Sequence, residues 1–342
     1  MKTKIWKLLG MAAILLAVAA CGGKDGNETG QTEAGTEVPE TNNPAIDGLS
    51  AAIAQSPNDP ALYAERARMF YENDGFDGAI RDLNKALSLD STNVDYLHLL
   101  ADVYLDYFKS RQALKTMERA AELYPERIPT LLKLAEFQLI LKQYNESMKT
   151  IDQVLRLDPQ NADAYFWFGM NFKEKGDTVR AINSFQKAVE INSDLVDGWI
   201  NLGQLYSAIG DPLAARYFEN AMRVAPGDIH VLHARADYLS DKGDLSGAID
   251  MYRRIARIDP QYEEAFFNSG LIYMDMDSLA QAKQQFDIAL KVSPTHIRAY
   301  YYRGLASEML GNRTAAKADY EQALRLAPNY EKAQEGLERV NQ

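Results

Sequence analysis

Between about residues 60 and 330, apolar residues recur at steps of three and four, the spacing of one face of a helix. The runs are short, and Gly, Asp and Pro break them at regular places. Pro57, Pro125, Pro159, Pro226, Pro260, Pro294 and Pro328 share a register, with Ser91 and Ser193 on its two other rungs. Every step is 34 residues except that from Ser193 to Pro226, which is 33. A fixed period of this length marks a stack of repeated supersecondary units.

Other columns keep the same step. A small residue recurs as Ala67, Ala101, Ala135, Gly169, Gly203, Ala236, Gly270 and Gly304. A second small column holds Ala79, Ala113, Ser147, Ala181, Ala214, Ala248, Ala282 and Ala316. A large apolar column follows four later: Leu83, Met117, Ile151, Phe185, Phe218, Tyr252, Phe286 and Tyr320. This predicts two short amphipathic helices per period, with small residues where backbones approach and large ones between layers. Gly176-Asp177, Gly210-Asp211 and Gly243-Asp244 read as turns between the two helices, where Gly ends one and Asp caps the next. Proline then stops the second helix.

These residues resemble the tetratricopeptide repeat. "WINLGQLY" supplies Trp199, Leu202, Gly203 and Tyr206, followed by Ala214, Phe218 and Pro226, the whole of that signature. The resemblance covers residues 60–330 as eight repeats and implies an all-α fold, a right-handed superhelical solenoid of helix-turn-helix units. Ser91 and Ser147 depart from its Pro and Ala. The fifth unit is one residue short between Gly210 and Ala214, which predicts a tighter turn around Pro212. Ala45, Leu49, Ala52 and Pro57 match the second-helix columns, so residues 44–59 read as an N-terminal half repeat. Residues 331–342 read as the C-terminal capping helix that a terminal repeat needs over its apolar face.

The first segment follows different rules. Lys2, Lys4 and Lys7 precede an apolar run from Leu8 to Val18, and Val18-Ala19-Ala20 supplies a small-residue cleavage site. That order predicts a signal peptide over residues 1–20. "VAAC" resembles the bacterial lipobox, which implies that Cys21 carries a covalent lipid at a new N-terminus. Gly22 follows, not Asp, which in the sorting rule of such lipoproteins implies the outer membrane. Residues 21–43 are rich in Gly, Thr, Glu and Asn, too polar to fold, and read as a lipid-anchored flexible linker. Its root-mean-square reach is about 25–30 Å.

Composition narrows the function. Cys21 is the only cysteine in 342 residues, which removes internal disulfides and cysteine-based zinc cages. A formal charge of −11 disfavours nucleic acid. Phosphate-binding loops, dinucleotide glycine fingerprints, HExxH and GxSxG are all absent from the sequence. His230 and His233 share a helix without enough further ligands for a metal. No cofactor is expected beyond the lipid on Cys21.

The family resemblance places the binding groove on set positions of the first helices. These positions carry Leu132, Phe166, Trp167, Met170, Phe267, Leu271, Tyr301 and Tyr302, with Asn201 and Asn268 where a side-chain amide holds a peptide backbone. Their acidic members include Asp95, Asp102, Asp106, Asp163, Asp237, Asp241, Glu264, Asp275 and Glu308; Arg68, Lys133, Lys173 and Arg298 are basic. The basic set with which some family members clamp a chaperone's terminal carboxylate is missing. The expectation is a non-enzymatic, membrane-anchored scaffold of the bacterial cell envelope. Its partners would be envelope proteins with basic or apolar-aromatic segments. Two alternatives stand beside it: an enzyme or metal- or sugar-binding protein using the groove as a site, and self-assembly through exposed faces.

Overall fold

The computed structural model describes residues 43–342, among which there are eighteen helices and no strand. The signal segment, Cys21 and the linker up to residue 42 lie outside the described residues. The fold is all-α, built of antiparallel helix pairs stacked into a solenoid. Two compact units meet in sequence between Lys175 and Gly176.

The first unit contains α1 (Pro44–Gln55), α2 (Pro60–Glu72), α3 (Phe76–Leu89), α4 (Val94–Asp106), α5 (Ser110–Leu123), α6 (Ile128–Ile140), α7 (Tyr144–Leu157) and α8 (Ala162–Glu174). The second contains α9 (Thr178–Ile191), α10 (Val196–Ala208), α11 (Leu213–Val224), α12 (Ile229–Asp241) and α13 (Leu245–Ile258). It continues with α14 (Glu263–Asp275), α15 (Leu279–Val292), α16 (Ile297–Met309), α17 (Arg313–Leu326) and α18 (Glu331–Asn341). Each helix packs mainly on its neighbours in sequence.

Local chemistry sets the helix ends. Asp59, Asn93, Asn161 and Asp228 accept hydrogen bonds from the first free amides of α2, α4, α8 and α12. Asp177 and Asp244 cap α9 and α13 in the same way. The turn inside each pair needs one residue in the left-handed region. Gly fills it at 176, 210, 243 and 311, with φ between 75 and 81°. Asp74, Phe108, Lys142 and Asp277 fill it elsewhere, with φ of 53–59°. For a bulky residue such as Phe108 this conformation costs about 1–2 kcal/mol.

The short fifth unit keeps the usual turn. Gly210 has the same φ, 75°, as Gly176. The connection is one residue longer and the helix two shorter: four residues separate α10 from α11 where three separate α8 from α9, α11 has 12 residues where α9 has 14, and Pro212 stands at its N-cap. Proline lacks the amide that an earlier start would use.

The columns of small and large residues form the core. Ala67, Ala79, Leu83, Ala101, Ala113 and Met117 are fully buried in the first unit; Ala214, Ala248, Ala282, Phe286, Ala316 and Tyr320 are fully buried in the second. In three pairs a glycine faces an aromatic ring. An ideal Cβ on Gly203 would stand 2.8 Å from the Phe218 ring, one on Gly270 2.5 Å from Phe286, and one on Gly304 2.9 Å from Tyr320. Where the first helix carries Ala67, Ala101 or Ala135 instead, its partner carries Leu83, Met117 or Ile151.

One buried and one part-buried ion-pair cluster join two of the helix pairs. Arg66 on α2 donates from Nε and Nη2 to both oxygens of Asp82 on α3, at 2.6 and 2.7 Å, and from Nη1 to Ser50 on α1 at 2.9 Å. In the same columns of the second unit, Arg303 on α16 grips Asp319 on α17 and reaches Asp287 on α15 at 2.8 Å.

Helix α1 runs antiparallel to α2. The Tyr63 hydroxyl donates to the Pro57 carbonyl just after the end of α1, while Arg66, further along α2, meets Ser50, further back along α1. The start of α1, capped by Asn43, therefore lies level with the C-terminal end of α2, on the edge that carries the α2–α3 turn.

Candidate functional site

In the first unit the groove candidates divide. Leu132 and Trp167 are half-buried and pack around Leu131 and Ala164. Phe166 and Met170 are buried, at 8% and 6% exposure, and the Phe166 ring meets Trp167 edge-on at 5.4 Å. At that exposure these two are too buried to serve as a binding surface.

The acidic positions here are engaged. Lys133 Nζ stands 2.7 Å from Asp102, whose carboxyl burial nevertheless pushes above its usual range. The Tyr71 hydroxyl of α2 donates to Asp106 of α4. His98 Nε2 stands 3.1 Å from Thr130 Oγ1. Burial, with Lys133 and Arg127 nearby, pushes the His98 imidazole down from 6.5 to about 4.

The unfolded chain therefore takes up this proton first as pH falls. The stabilisation by neutral His98 is complete above about 6.5 and is lost as pH falls through about 4. Urea unfolding at pH 7 and pH 5 is expected to show a loss of midpoint that His98→Gln abolishes. An equal loss in the variant would remove His98 as its source.

In the second unit Asn201 is 1% exposed, and its Nδ2 donates to the Asp197 carbonyl of its own helix at 2.9 Å. It cannot hold a partner's backbone in this arrangement. Phe267 is also buried, at 3%, between His296 at 4.6 Å and Tyr302 at 5.9 Å, with the Arg298 guanidinium 4.8 Å from its ring centre. Its ring fills the space between α14 and α16, so it supports the surface from below.

Asn268, Leu271, Tyr301 and Tyr302 remain part-exposed. Asn268 joins a polar cluster that composition alone did not reveal. Its Nδ2 lies 3.2 Å from both Tyr252 Oη and His233 Nε2; Tyr252 donates to Asp237 at 2.6 Å, and His233 Nδ1 lies 3.1 Å from Tyr262 Oη. Burial, with Glu264 and Glu263 nearby, pushes the Tyr262 hydroxyl up to about 12. Further along, Tyr301 packs against Tyr302 at 5.0 Å and Tyr330 at 5.6 Å. Hydrogen bonds from Arg339 and Tyr320 hold the Glu308 carboxyl below its usual range.

The acidic groove is thus less available than its composition suggested. Asp102, Asp106, Asp237 and Glu308 accept bonds from lysine, tyrosine or arginine of the protein itself. Asp95, Asp163, Asp237, Asp241, Glu264 and Asp275 are exposed members of those columns, although Asp237 also accepts from Tyr252. Among the described residues no three His, Cys, Asp or Glu are placed to hold a metal ion. A cleft of about 410 Å³ opens on the second-helix side of the first unit, lined by Leu87, Leu97, Leu100, Tyr104, Lys115 and Arg119.

Models of the tetratricopeptide repeat match residues 128–161, 162–195, 229–262, 263–296 and 297–330. Among curated proteins, human "Protein O-mannosyl-transferase TMTC3" is 28% identical over 244 residues, covering 68% of this chain and 26% of that protein. Wheat "Hsp70-Hsp90 organizing protein" is 21% identical over 237 residues, covering 66% and 40%. The chain spans about a quarter of the first of these relatives and less than half of the second. Yeast Tom70 superposes with a TM-score of 0.56 at 18% identity, covering 90% of this chain and 65% of that one. The Cut9 complex with Hcn1 gives 0.53 at 18%, covering 87% and 58%. At this identity the structural likeness shows the fold: stacked tetratricopeptide repeats.

Proposed function

From a chain built of tetratricopeptide repeats, we propose a membrane-anchored, non-enzymatic scaffold of the bacterial cell envelope. Lipid on Cys21 holds it to the outer membrane, and partner proteins bind along the first helices. The observation that carries the binding reading is the row Leu271, Tyr301 and Tyr302 in the second unit. These large side chains stay part-exposed beside the buried cluster of Phe267, Phe286 and Ala299. Aromatic side chains standing half in solvent over a rigid core are ready anchors for a partner segment. The exposed Asp241, Glu264 and Asp275 favour basic residues within that segment. In the relatives, the printed names of the Hsp70-Hsp90 organizing protein and of the Cut9–Hcn1 complex describe protein assembly, which agrees with this reading.

The identity of the partner sets the envelope process that the scaffold serves. A photo-crosslinker at Leu271 of the full chain, in cells, tests the proposal. One dominant envelope protein is expected, and Tyr301→Ala should reduce its capture about tenfold, the loss of roughly 1.4 kcal/mol. Capture that is scattered over many neighbours, or unchanged in Tyr301→Ala, would move the binding site elsewhere.

A further inference from the structure

Phe108 stands in the turn between α4 and α5 with φ of 58° and 82% of its surface exposed. Both properties are unfavourable for the fold. The equivalent residue of four other turns is Gly, at Gly176, Gly210, Gly243 and Gly311, and there the same backbone costs nothing. A bulky ring in a disfavoured conformation, without packing in return, points to a contact outside the chain.

Its surroundings are aromatic. Phe76, at the start of α3, stacks on Tyr107 at 5.1 Å with 9° between the rings, and Tyr71 lies 6.1 Å from Phe76. Lys109 Nζ sits 4.2 Å from the Tyr107 ring centre and 4.0 Å from Asp77, and the Tyr107 hydroxyl donates to Asp77. Lysine and aspartate therefore offset each other beside Phe108, while the other turns of this edge carry exposed Glu72, Asp74 and Lys142. The start of α1, where the chain arrives from Cys21, lies on this same edge. An anchor at Cys21 would attach the chain to the bilayer from this edge.

We propose that the turn edge of the first unit rests on the membrane that holds Cys21, with Phe108 entering the headgroup–acyl boundary. Aromatic side chains favour that boundary. This inference rests on the lipid-anchor reading given above.

The test uses the full lipidated chain in vesicles of phosphatidylethanolamine and phosphatidylglycerol with brominated acyl chains. Phe108→Trp is compared with the unsubstituted chain, whose Trp167 and Trp199 give the background, and with Leu157→Trp. Leu157 is 41% exposed at the C-terminal end of α7, on the opposite edge. The tryptophan at 108 is expected to emit at shorter wavelength and lose most of its intensity to bromine, while that at 157 does neither. Mass spectrometry of the N-terminal peptide reads the lipid in the same sample. Lipid present with no quenching at 108 overturns the membrane contact alone; lipid absent overturns the anchor and the contact together. Phe108→Gly provides an independent check. Relief of the backbone is expected to raise the melting temperature in detergent, whereas a lower one would show that the ring serves the fold and overturn the proposal.

Discussion

Arg66→Met is expected to lower the stability of the first unit by about 3–5 kcal/mol, the cost of leaving one half of a buried ion pair without its partner. The side chains of Arg66 and Asp82 are 6% and 8% exposed, so water cannot take over the lost bonds. Both carboxylate oxygens of Asp82 receive a guanidinium hydrogen, and the third arm of the fork reaches Ser50 on α1. Removing the arginine thus strands a carboxylate and loosens α1 at once. The double change Arg66→Met with Asp82→Leu is expected to recover most of the loss, since apolar residues of similar volume replace such pairs well. Urea unfolding of the four proteins completes the cycle. A single Arg66→Met that loses less than about 1 kcal/mol would show that Asp82 is solvated and the pair peripheral.

Phe286→Ala is the second large effect, expected to cost the second unit about 3–5 kcal/mol. The ring is fully buried and fills the space left by the absent side chain of Gly270. The reverse error, Gly270→Ala, pushes a methyl to within 2.5 Å of that ring and is expected to cost about 1–3 kcal/mol. The two changes compensate. In the Phe286→Ala background, the methyl enters an emptied space, so Gly270→Ala becomes neutral or mildly stabilising there. Additive losses in the double variant would mean that the glycine and the ring do not share that space.

Much of this fold was legible because a solenoid writes its contacts into the chain at a fixed period. The columns headed by Ala67, Ala79 and Leu83 identify the core without reference to any distant residue, because each helix packs on its neighbours in sequence. The candidate surface was read less well. A first-helix position is defined by its angle around the helix, but exposure depends on how far the next helix leans over it. Phe166, Met170, Asn201 and Phe267 occupy groove columns and are buried. Leu271, Tyr301 and Tyr302 occupy the same columns and stay part-exposed. Charges misled in a related way. Composition shows Asp102 or Asp237 as an acidic group, whereas the structure shows the Lys133 ammonium or Tyr252 hydroxyl that occupies it. One signal was available and unused: Arg66 with Asp82 and Arg303 with Asp319 share both spacing and register. Phe108, in a column otherwise held by Gly, Asp and Lys, was another.

The pairing of unlike sizes also bears on how a periodic chain finds its own alignment. Repeats with similar faces invite a helix to dock on the wrong partner one period away. In the second unit, α12 carries Ala236 and pairs with α13 through Tyr252, whereas α14 carries Gly270 and pairs with α15 through Phe286. If α12 were laid on α15, the Ala236 methyl would arrive where even an ideal Cβ stands 2.5 Å from the Phe286 ring. Such a slipped pairing would have to spread its helices apart and forfeit core contact. The Phe286 ring thus marks α14 as the partner of α15, because it fits against Gly270 and not against a methyl in that place.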